Sequence, residues 1–339
     1  MEREKLEPTE KTQNEARLDQ KKFSLECFDV LGTLGSGTFS RVRLVKLKDY
    51  PSSSPMALKM LKKSVVLKLK QLDNLRNEKL IMEQLEHPFI PKLIGTFQDS
   101  RYIFMLMEFA HGGELFTRMK KQGCLPKFEA QFYAAELVLV LEYLSQKSIA
   151  FRDLKPENIL LDRLGHIKLV DFGFSKVVED KTYTMCGTPE YMAPEVILGK
   201  GHGKNADWWA LGILVYEMLV GRPPFYDENP FNLYQKIILN RFNFPPELEE
   251  SAKNLVSGLL EGDVNKRLRC KEDGCNAIKG HPWFRDFDFE LMHRKEIAAP
   301  WVPELDSESD TSYFDSYPDS TEPPSSPLID PDRDPFVGF

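Results

Sequence analysis

The alternation of apolar and polar side chains divides the chain into a β-rich beginning and a helical remainder. Residues 28–46 are apolar at intervals typical of strands and are interrupted by Gly32, Gly35 and Gly37, which predicts two strands joined by a glycine-rich turn. Further patterns predict three strands and one helix: strands at 56–61, 92–97 and 102–109, and a helix at 64–85. This part of the chain therefore predicts a small sheet with one helix.

Two strongly apolar segments predict buried helices in the rest of the chain. Residues 128–144 are apolar on most faces, and residues 208–220 have the same character. Asp207 stands directly before the second segment, where we expect it to cap the helix. Helical patterns continue to about residue 284, and no apolar run reaches the ~18 residues that a membrane-spanning helix needs.

The net charge of −7 is concentrated in the last part of the chain. Residues 303–339 contain ten acidic residues and one basic residue, with seven prolines and seven serines, so that residues 1–302 carry +2. This composition predicts a low-complexity acidic tail on a nearly neutral body. The body has no basic stripe with interleaved aromatic residues, which argues against nucleic-acid binding.

The cysteines indicate the compartment in which the protein works. There are five, an odd number without a Cys-x-x-Cys pair, which favours a reducing environment. Residues 1–22 are polar and charged and do not resemble a signal peptide. We therefore expect the protein in the cytoplasm, with the nucleus as a second compartment.

Three short motifs carry the strongest chemical signal. Residues 151–158 read Phe-Arg-Asp-Leu-Lys-Pro-Glu-Asn, Asp171-Phe-Gly follows thirteen residues later, and Ala193-Pro-Glu follows that. The order and spacing of these motifs resemble the signature of the eukaryotic protein kinases. Because the resemblance extends over more than forty residues, a chance match is excluded. The resemblance implies an α+β fold with two lobes, a small β-rich lobe with one regulatory helix and a larger helical lobe.

The resemblance also implies roles for these residues in phosphoryl transfer from ATP. Asp153 would accept the proton of the substrate hydroxyl, and Lys155 would neutralise charge on the transferred phosphate. Asn158 and Asp171 would hold Mg²⁺, which prefers hard oxygen ligands.

The residues expected to bind the nucleotide are weaker signals when taken alone. Gly35-Ser-Gly37 is more typical of a plain hairpin turn, and Lys59 is as typical of a surface lysine as of an anion-binding one. The resemblance makes them part of an ATP site in which Glu78 orients Lys59. The full set that it implies is Leu34, Gly35, Ser36, Gly37, Val42, Ala57, Lys59, Glu78, Met107, Glu108, Ala110, Glu114 and Leu160.

Phe151 and the segment from Thr182 to Tyr191 narrow the resemblance to the AGC group of kinases. An aromatic residue stands at position 151 in that group, and Thr184 matches its activation-segment phosphorylation site. A phosphate on Thr184 would pair with Arg152 and Lys176. Two positions depart from the pattern, because Ser40 replaces the third glycine of the glycine-rich turn and Asn74 replaces a phosphate-binding histidine.

Four glutamates and the tail make the chain most similar to the cAMP-dependent branch. Each glutamate alone is more typical of a solvated surface charge, but together they match positions that bind substrate arginines in that branch: Glu114, Glu157, Glu190 and Glu217. In the tail, residues 314–317 resemble a segment that contacts the nucleotide site, and Phe336 and Phe339 resemble a terminal hydrophobic motif that docks on the small lobe. Ser326 is as typical of a proline-rich linker as of a phosphorylation site.

The sequence therefore predicts a serine/threonine kinase for substrates of the Arg-Arg-x-Ser/Thr type. Its expected partners are a cAMP-binding regulatory subunit, a pseudosubstrate inhibitor and an upstream activation-loop kinase. An AGC kinase without cAMP control and a pseudokinase scaffold are the alternatives. The predicted divisions are a polar, helical extension at 1–27, a kinase domain at 28–284 with lobes at 28–109 and 110–284, and the tail at 285–339.

Overall fold

The chain folds into two compact units. The computed structural model describes residues 23–37, 40–50, 52–269, 275–317 and 334–339, so most of the predicted helical extension and Ser326 lie outside the described residues. The first unit comprises Met1–Leu72, Lys92–Phe109 and Ser307–Phe339, and the second comprises Asp73–Pro91 and Ala110–Asp306. The predicted domain bounds stay a prediction.

An antiparallel sheet of five strands forms the first unit, as the apolar pattern predicts. Its strand order is β1-β2-β3-β5-β4, with β1 at Phe28–Ser36, β2 at Ser40–Leu47, β3 at Met56–Lys62, β4 at Leu93–Gln98 and β5 at Tyr102–Glu108. Stacked aromatic rings fill one side of it, with the Phe97 centroid 4.6 Å from Phe104 and 6.0 Å from Phe28. The central strand β3 places Lys59 between Val42 and Met105.

The helix predicted at 64–85 is two helices. Helix α1 spans Lys63–Lys68 and α2 spans Leu72–Met82. Lys70 between them has a φ of 54°, a left-handed conformation that a continuous helix does not contain. The prediction of one helix is therefore wrong at this break.

Helices dominate the second unit. They are α3 at Leu115–Gln122, α4 at Lys127–Gln146, α5 at Pro194–Ile197, α6 at Asn205–Val220, α7 at Pro230–Ile238, α8 at Glu250–Leu259, α9 at Asn276–Lys279 and α10 at Phe289–His293. Most residues of α4 and α6 are buried, as predicted. No helix in the described part of the chain is long and apolar enough to cross a membrane.

Two short antiparallel pairs of strands complete the second unit, and the predicted catalytic and metal-binding residues lie next to them. Strands β7 (Ile159–Leu161) and β8 (Ile167–Leu169) form a hairpin, and β6 (Ile149–Ala150) pairs with β9 (Lys176–Val177). Asp207 does not cap α6, because that helix begins two residues earlier. The Asp207 side chain is buried instead. Cys275 is disulfide-bonded, which the cysteine count did not predict.

Candidate active site

The loop between β6 and β7 brings three of the predicted residues together. Asp153 is buried, and its Oδ2 accepts a hydrogen bond of 2.9 Å from the amide nitrogen of Asn158. The Lys155 ammonium lies 3.1 Å from the same oxygen. Asn158 also donates to the Asp153 carbonyl at 2.8 Å, which fixes the loop around the carboxylate.

Thr188 engages the other oxygen of the same carboxylate. Its N–H and its hydroxyl donate to Asp153 Oδ1 at 3.1 and 2.9 Å, and its hydroxyl accepts from Lys155 at 3.0 Å. Sequence reasoning did not assign Thr188 a role at this carboxylate. The structure therefore adds a residue that fixes the rotamer of Asp153.

Asp207 supports the loop from beneath. Its two carboxylate oxygens accept hydrogen bonds from the N–H groups of Phe151 and Arg152, both at 2.8 Å. Burial raises the pKa of Asp207 to about 6, although these two N–H groups and the Arg152 charge favour its ionised form. Since Arg152 has a φ of 73°, Asp207 holds a strained backbone next to Asp153.

The two predicted metal ligands lie at the same open end of the β7–β8 hairpin, where Ile159 pairs with Leu169. Asn158 directly precedes β7, Asp171 follows β8 by two residues, and the Val170 N–H donates to the Asn158 carbonyl at 2.9 Å. Asn158 uses its amide nitrogen for the contacts with Asp153, so its amide oxygen is the atom available to a metal. One amide oxygen and one carboxylate suit Mg²⁺, which keeps water and phosphate oxygens as its other ligands. Among the described residues, no group of three or more His, Cys, Asp or Glu could hold a metal.

Helix α2 is anchored beside Asp171. The Asn77 amide donates to the Ser175 carbonyl at 2.5 Å. A Cβ placed on Gly173 would lie 3.2 Å from Asp171 Oδ1 and 3.7 Å from Oε2 of the buried Glu78. The Glu78 carboxylate is therefore held next to the Asp171 segment, and its pairing with Lys59 stays a prediction.

The glycine-rich turn of the first unit is open to an approaching group. Gly37 donates its N–H to the Ser40 carbonyl at 2.8 Å, which closes the turn. Gly35 has no positive φ, and a Cβ there would have no neighbour within 4 Å. Neither backbone conformation nor packing within the protein therefore requires this glycine, which favours close approach of a ligand.

Three apolar residues of the predicted nucleotide set, Leu34, Val42 and Ala57, form one cluster in the first unit. Leu34 and Ala57 are buried there, and Val42 packs against them. The Phe314 ring of the tail joins this cluster, 5.7 Å from the Phe109 centroid. Met107 lies opposite Ala57 in the sheet, Glu108 is exposed at the end of β5, and Lys59 is half-buried.

Three further predicted nucleotide residues, Ala110, Glu114 and Leu160, belong to the second unit. Ala110 is buried, and Glu114 forms an antiparallel bridge with Leu160 on β7. The neighbouring Gly112 has no room for a side chain, because a Cβ would lie 3.0 Å from Leu161. This tight contact fixes the segment that carries Glu114.

Three of the four predicted substrate-binding glutamates gather around one tyrosine. The Tyr191 hydroxyl donates a short hydrogen bond to Glu217. Burial raises the pKa of Glu217, and the Glu157 and Glu190 carboxylates raise it further, while the Tyr191 hydrogen bond opposes the rise. Burial is the largest cause of the raised pKa of Tyr191, and the same three carboxylates raise it further. Glu217 is therefore held by Tyr191, and Glu157 and Glu190 lie near enough to act electrostatically on both groups.

The predicted phosphorylation site lies on an exposed segment near two cations. Thr184 is exposed. Burial raises the pKa of the Cys186 thiol, two residues further on, whereas the Arg152 and Lys176 charges lower it. Nη1 of Arg152 is buried and has no hydrogen-bond partner in the described part of the chain.

The terminal hydrophobic motif is docked in the first unit. Phe336 is 0% exposed, and its carbonyl accepts from the Gln98 amide at 2.9 Å. Lys63 on α1, only 2% exposed, lies 2.7 Å from the Asp334 carboxylate and 5.3 Å from the Phe336 ring centroid. Burial opposes ionisation of Asp334, but hydrogen bonds from Lys63 and the Phe336 N–H hold its pKa below the usual range.

Comparison with known proteins gives consistent matches. The protein kinase domain family matches residues 28–284. The human cAMP-dependent protein kinase catalytic subunit PRKX is 46% identical over 94% of this chain and 88% of its own length. The Saccharomyces cerevisiae cAMP-dependent protein kinase type 3 is 45% identical over 88% of this chain and 75% of its own. A cAMP-dependent protein kinase catalytic subunit of Dictyostelium discoideum is 44% identical over 93% of this chain and 49% of its own.

Proposed function

This chain belongs to the protein kinases, among the cAMP-dependent protein kinase catalytic subunits, and we propose that its substrates carry arginines shortly before the target residue. It is a protein serine/threonine kinase, in agreement with the sequence prediction. The observation that carries the substrate class is Glu217, which accepts a hydrogen bond from Tyr191 and has Glu157 and Glu190 nearby. Burial is the main cause of the raised pKa of Glu217, and the other two carboxylates add to the rise.

A guanidinium is the group that fits this cluster. Carboxylates held close together raise each other's pKa, and a cation bound between them relieves the repulsion. Arginine can bind carboxylates through two parallel hydrogen bonds, whereas lysine offers a point charge, so arginine is favoured. Tyr191 holds Glu217 in place, which leaves the cluster preorganised for a substrate side chain.

Asp153 is the proposed base that receives the proton of the substrate hydroxyl. Its rotamer is fixed through Oδ1 by Thr188 and through Oδ2 by Asn158 and Lys155. The Lys155 ammonium is also placed to neutralise negative charge that develops on the transferred phosphate. Positioning and charge neutralisation of this kind supply most of the catalysis in phosphoryl transfer.

ATP and Mg²⁺ are the proposed nucleotide and metal. Mg²⁺, held by Asn158 and Asp171, would neutralise phosphate charge. Lys59, oriented by Glu78, is proposed to bind the phosphates, under the glycine-rich turn of Gly35 and Gly37. Further proposed nucleotide contacts are Leu34, Ser36, Val42, Ala57, Met107, Glu108, Ala110, Glu114 and Leu160.

Regulation by a cAMP-binding subunit is proposed from the relatives named above. Such a subunit, or a separate pseudosubstrate inhibitor, would present arginines to the glutamate cluster. Phosphorylation of Thr184 by an upstream kinase is proposed to order the activation segment, and the unpaired Nη1 of Arg152 supports this site. A cytoplasmic location is also proposed, with the nucleus as a second compartment.

Peptide phosphorylation with single arginine replacements tests the substrate class. We compare the wild type with Glu217→Gln, which keeps an acceptor for Tyr191 but removes the charge, and with Glu250→Gln, which alters an exposed glutamate on α8. The preference for arginine over alanine upstream of the serine is expected to fall about tenfold in Glu217→Gln alone, the equivalent of one charge-assisted hydrogen bond. An unchanged preference in Glu217→Gln would contradict the proposed role of the cluster.

The alternatives are separated by two further measurements. A recombinant cAMP-binding regulatory subunit that inhibits at micromolar concentration, with release by cAMP, supports the cAMP-dependent branch. Failure to inhibit supports an AGC kinase with other regulation. Absence of any phosphate transfer supports the pseudokinase scaffold.

A further inference from the structure

We propose that His202 is a ligand for a phosphate on Thr184 and binds it together with Arg152 and Lys176. The inference rests on the proposed phosphorylation of Thr184 and adds a third group to the two cations expected from the sequence. No motif that the sequence analysis singled out contains His202. Its place beside the activation segment is therefore what points to this role.

His202 pairs with Thr182 in the segment that carries Thr184. The two residues exchange both backbone hydrogen bonds, with the Thr182 N–H donating at 2.8 Å and the His202 N–H at 2.9 Å. Residues directly opposite each other in an antiparallel pair have their side chains on the same face, with Cβ atoms about 5 Å apart. Both side chains are buried, and Thr184 follows two residues later on the exposed part of the segment.

Two cations lie next to this pair of residues. Lys176 donates to the Thr182 hydroxyl at 3.2 Å, and Arg152 lines one small cavity together with His202. The Arg152 guanidinium is fixed by a hydrogen bond of 2.6 Å from its Nε to the Phe174 carbonyl, whereas its buried Nη1 has no partner among the residues that the structure describes. An unsatisfied buried donor beside a lysine and an imidazole suits a ligand with several acceptor oxygens, as a phosphate has.

The charges around His202 keep its imidazole neutral in the absence of a phosphate. Burial lowers the pKa of His202, and the charges of Arg152 and Lys176 lower it further. Glu195 raises it, but both oxygens of that carboxylate are bonded to Arg267, at 2.7 and 2.9 Å. A phosphate adds nearly two negative charges, which favours the protonated imidazole. His202 then takes a proton from solvent and becomes a charged donor to the phosphate.

The other titratable side chains along this cavity are already engaged or uncharged. The carboxylates of Asp153 and Asp207 accept hydrogen bonds within the protein through both of their oxygens. Burial raises the pKa of the Cys186 thiol and of the Tyr191 hydroxyl, which keeps both groups protonated. Since the charge of a histidine changes near neutral pH, His202 is able to respond to the phosphate.

The three ligands come from three different parts of the second unit. Arg152 lies in the loop between β6 and β7, Lys176 lies on β9, and His202 lies shortly before α6. A phosphate on Thr184 would therefore tie these parts to the activation segment. The contribution of His202 requires its proton, so it is lost as the pH rises through the pKa that His202 has in the phosphorylated chain.

The test compares the full chain with and without phosphothreonine at position 184, placed there by genetic encoding and confirmed by tandem mass spectrometry. NMR titration of histidine-labelled protein measures the pKa of His202, whose signal is assigned from His202→Gln. His281, which contacts Asn254 and lies outside the proposed site, is the control. Removal of the phosphate by a phosphatase is then followed at about pH 6.5 and about pH 8.5, on either side of neutrality, for the wild type, His202→Gln and His281→Gln. An Arg-Arg-x-Ser peptide reports kinase activity in parallel.

We expect phosphorylation to raise the pKa of His202 by about one unit or more and to leave that of His281 unchanged. At the lower pH, the phosphate should be removed about tenfold faster from His202→Gln than from the wild type or His281→Gln, with a smaller difference at the higher pH. A His202 pKa that stays constant or falls, or equal rates for His202→Gln and the wild type at both pH values, would overturn this inference. The proposed function stands in that case if the phosphorylated wild type still modifies the peptide, and it is overturned separately if the peptide is not modified.

Discussion

Glu136 holds His166 inside the second unit, with Oε1 of the carboxylate 2.5 Å from Nδ1 of the imidazole and both side chains buried. The other carboxylate oxygen accepts from the Ile167 N–H at 2.9 Å. Because His166 and Ile167 lie at the turn of the β7–β8 hairpin, Glu136 ties α4 to the hairpin whose open end carries Asn158 and Asp171.

This relationship predicts a pH dependence of stability. Burial raises the pKa of Glu136 from 4.5 to about 7. The hydrogen bonds with His166 and Ile167 and the charge of Lys295 favour the ionised form and oppose this rise. The folded chain therefore keeps a proton that the unfolded chain releases near pH 4.5. The stabilisation from this group is complete below that pH and is lost as the pH rises through about 7.

Urea unfolding of the wild type and Glu136→Gln between about pH 5 and about pH 8 measures this contribution. The glutamine cannot ionise, so the wild type is expected to lose stability relative to the variant as the pH rises. A free energy of unfolding of the wild type that stays constant or rises with pH, relative to that of the variant, would contradict the assignment. The Glu142→Gln chain, altered at a less buried carboxylate of α4, is the control.

Thr188→Ala is expected to lower kcat about 100-fold, because the Asp153 carboxylate loses a donor on Oδ1 and becomes free to turn. The KM for ATP is expected to change much less. Thr188→Ser keeps the hydroxyl and should restore most of the rate. Steady-state kinetics with an arginine-containing peptide check this, and equal kcat values for the alanine variant and the wild type would exclude a positioning role for Thr188.

Phe336→Ala is expected to lower the free energy of unfolding by about 3–5 kcal/mol, the usual cost of truncating a fully buried phenylalanine. The neighbouring Val337 is 78% exposed, so Val337→Ala should change stability by less than about 0.5 kcal/mol. Urea unfolding monitored by intrinsic fluorescence compares the two. Similar stabilities would show that the tail contributes no core packing.

The parts of the fold and site that could be predicted are those that depend on residues close together in the sequence. The strands of the first unit follow from alternation in the sequence, and Asp153, Lys155 and Asn158 lie within one short loop, so their convergence follows from chain connectivity. The break at Lys70 could not be read, because the helical pattern continues across it and only the backbone conformation shows the interruption.

Contacts over long sequence separations explain the rest. Thr188 lies 35 residues after Asp153, and Asp207 lies 55 residues after Arg152. Asp207 looks like an ordinary helix cap in the sequence, and its role in holding the loop appears only when α6 packs beneath β6. Glu136 likewise resembles a surface glutamate in the sequence. Only the packing of α4 shows that it is buried and paired with His166.

The most direct test of the proposed mechanism is phosphate transfer from Mg-ATP to an Arg-Arg-x-Ser peptide by the wild type and by Asp153→Asn. The asparagine keeps the size of the side chain and cannot accept the substrate proton. We expect the wild type to phosphorylate the peptide, and the variant to be slower by about 100-fold or more with ATP binding unchanged by calorimetry. Indistinguishable rates for the two chains would contradict the assignment of Asp153 as the base.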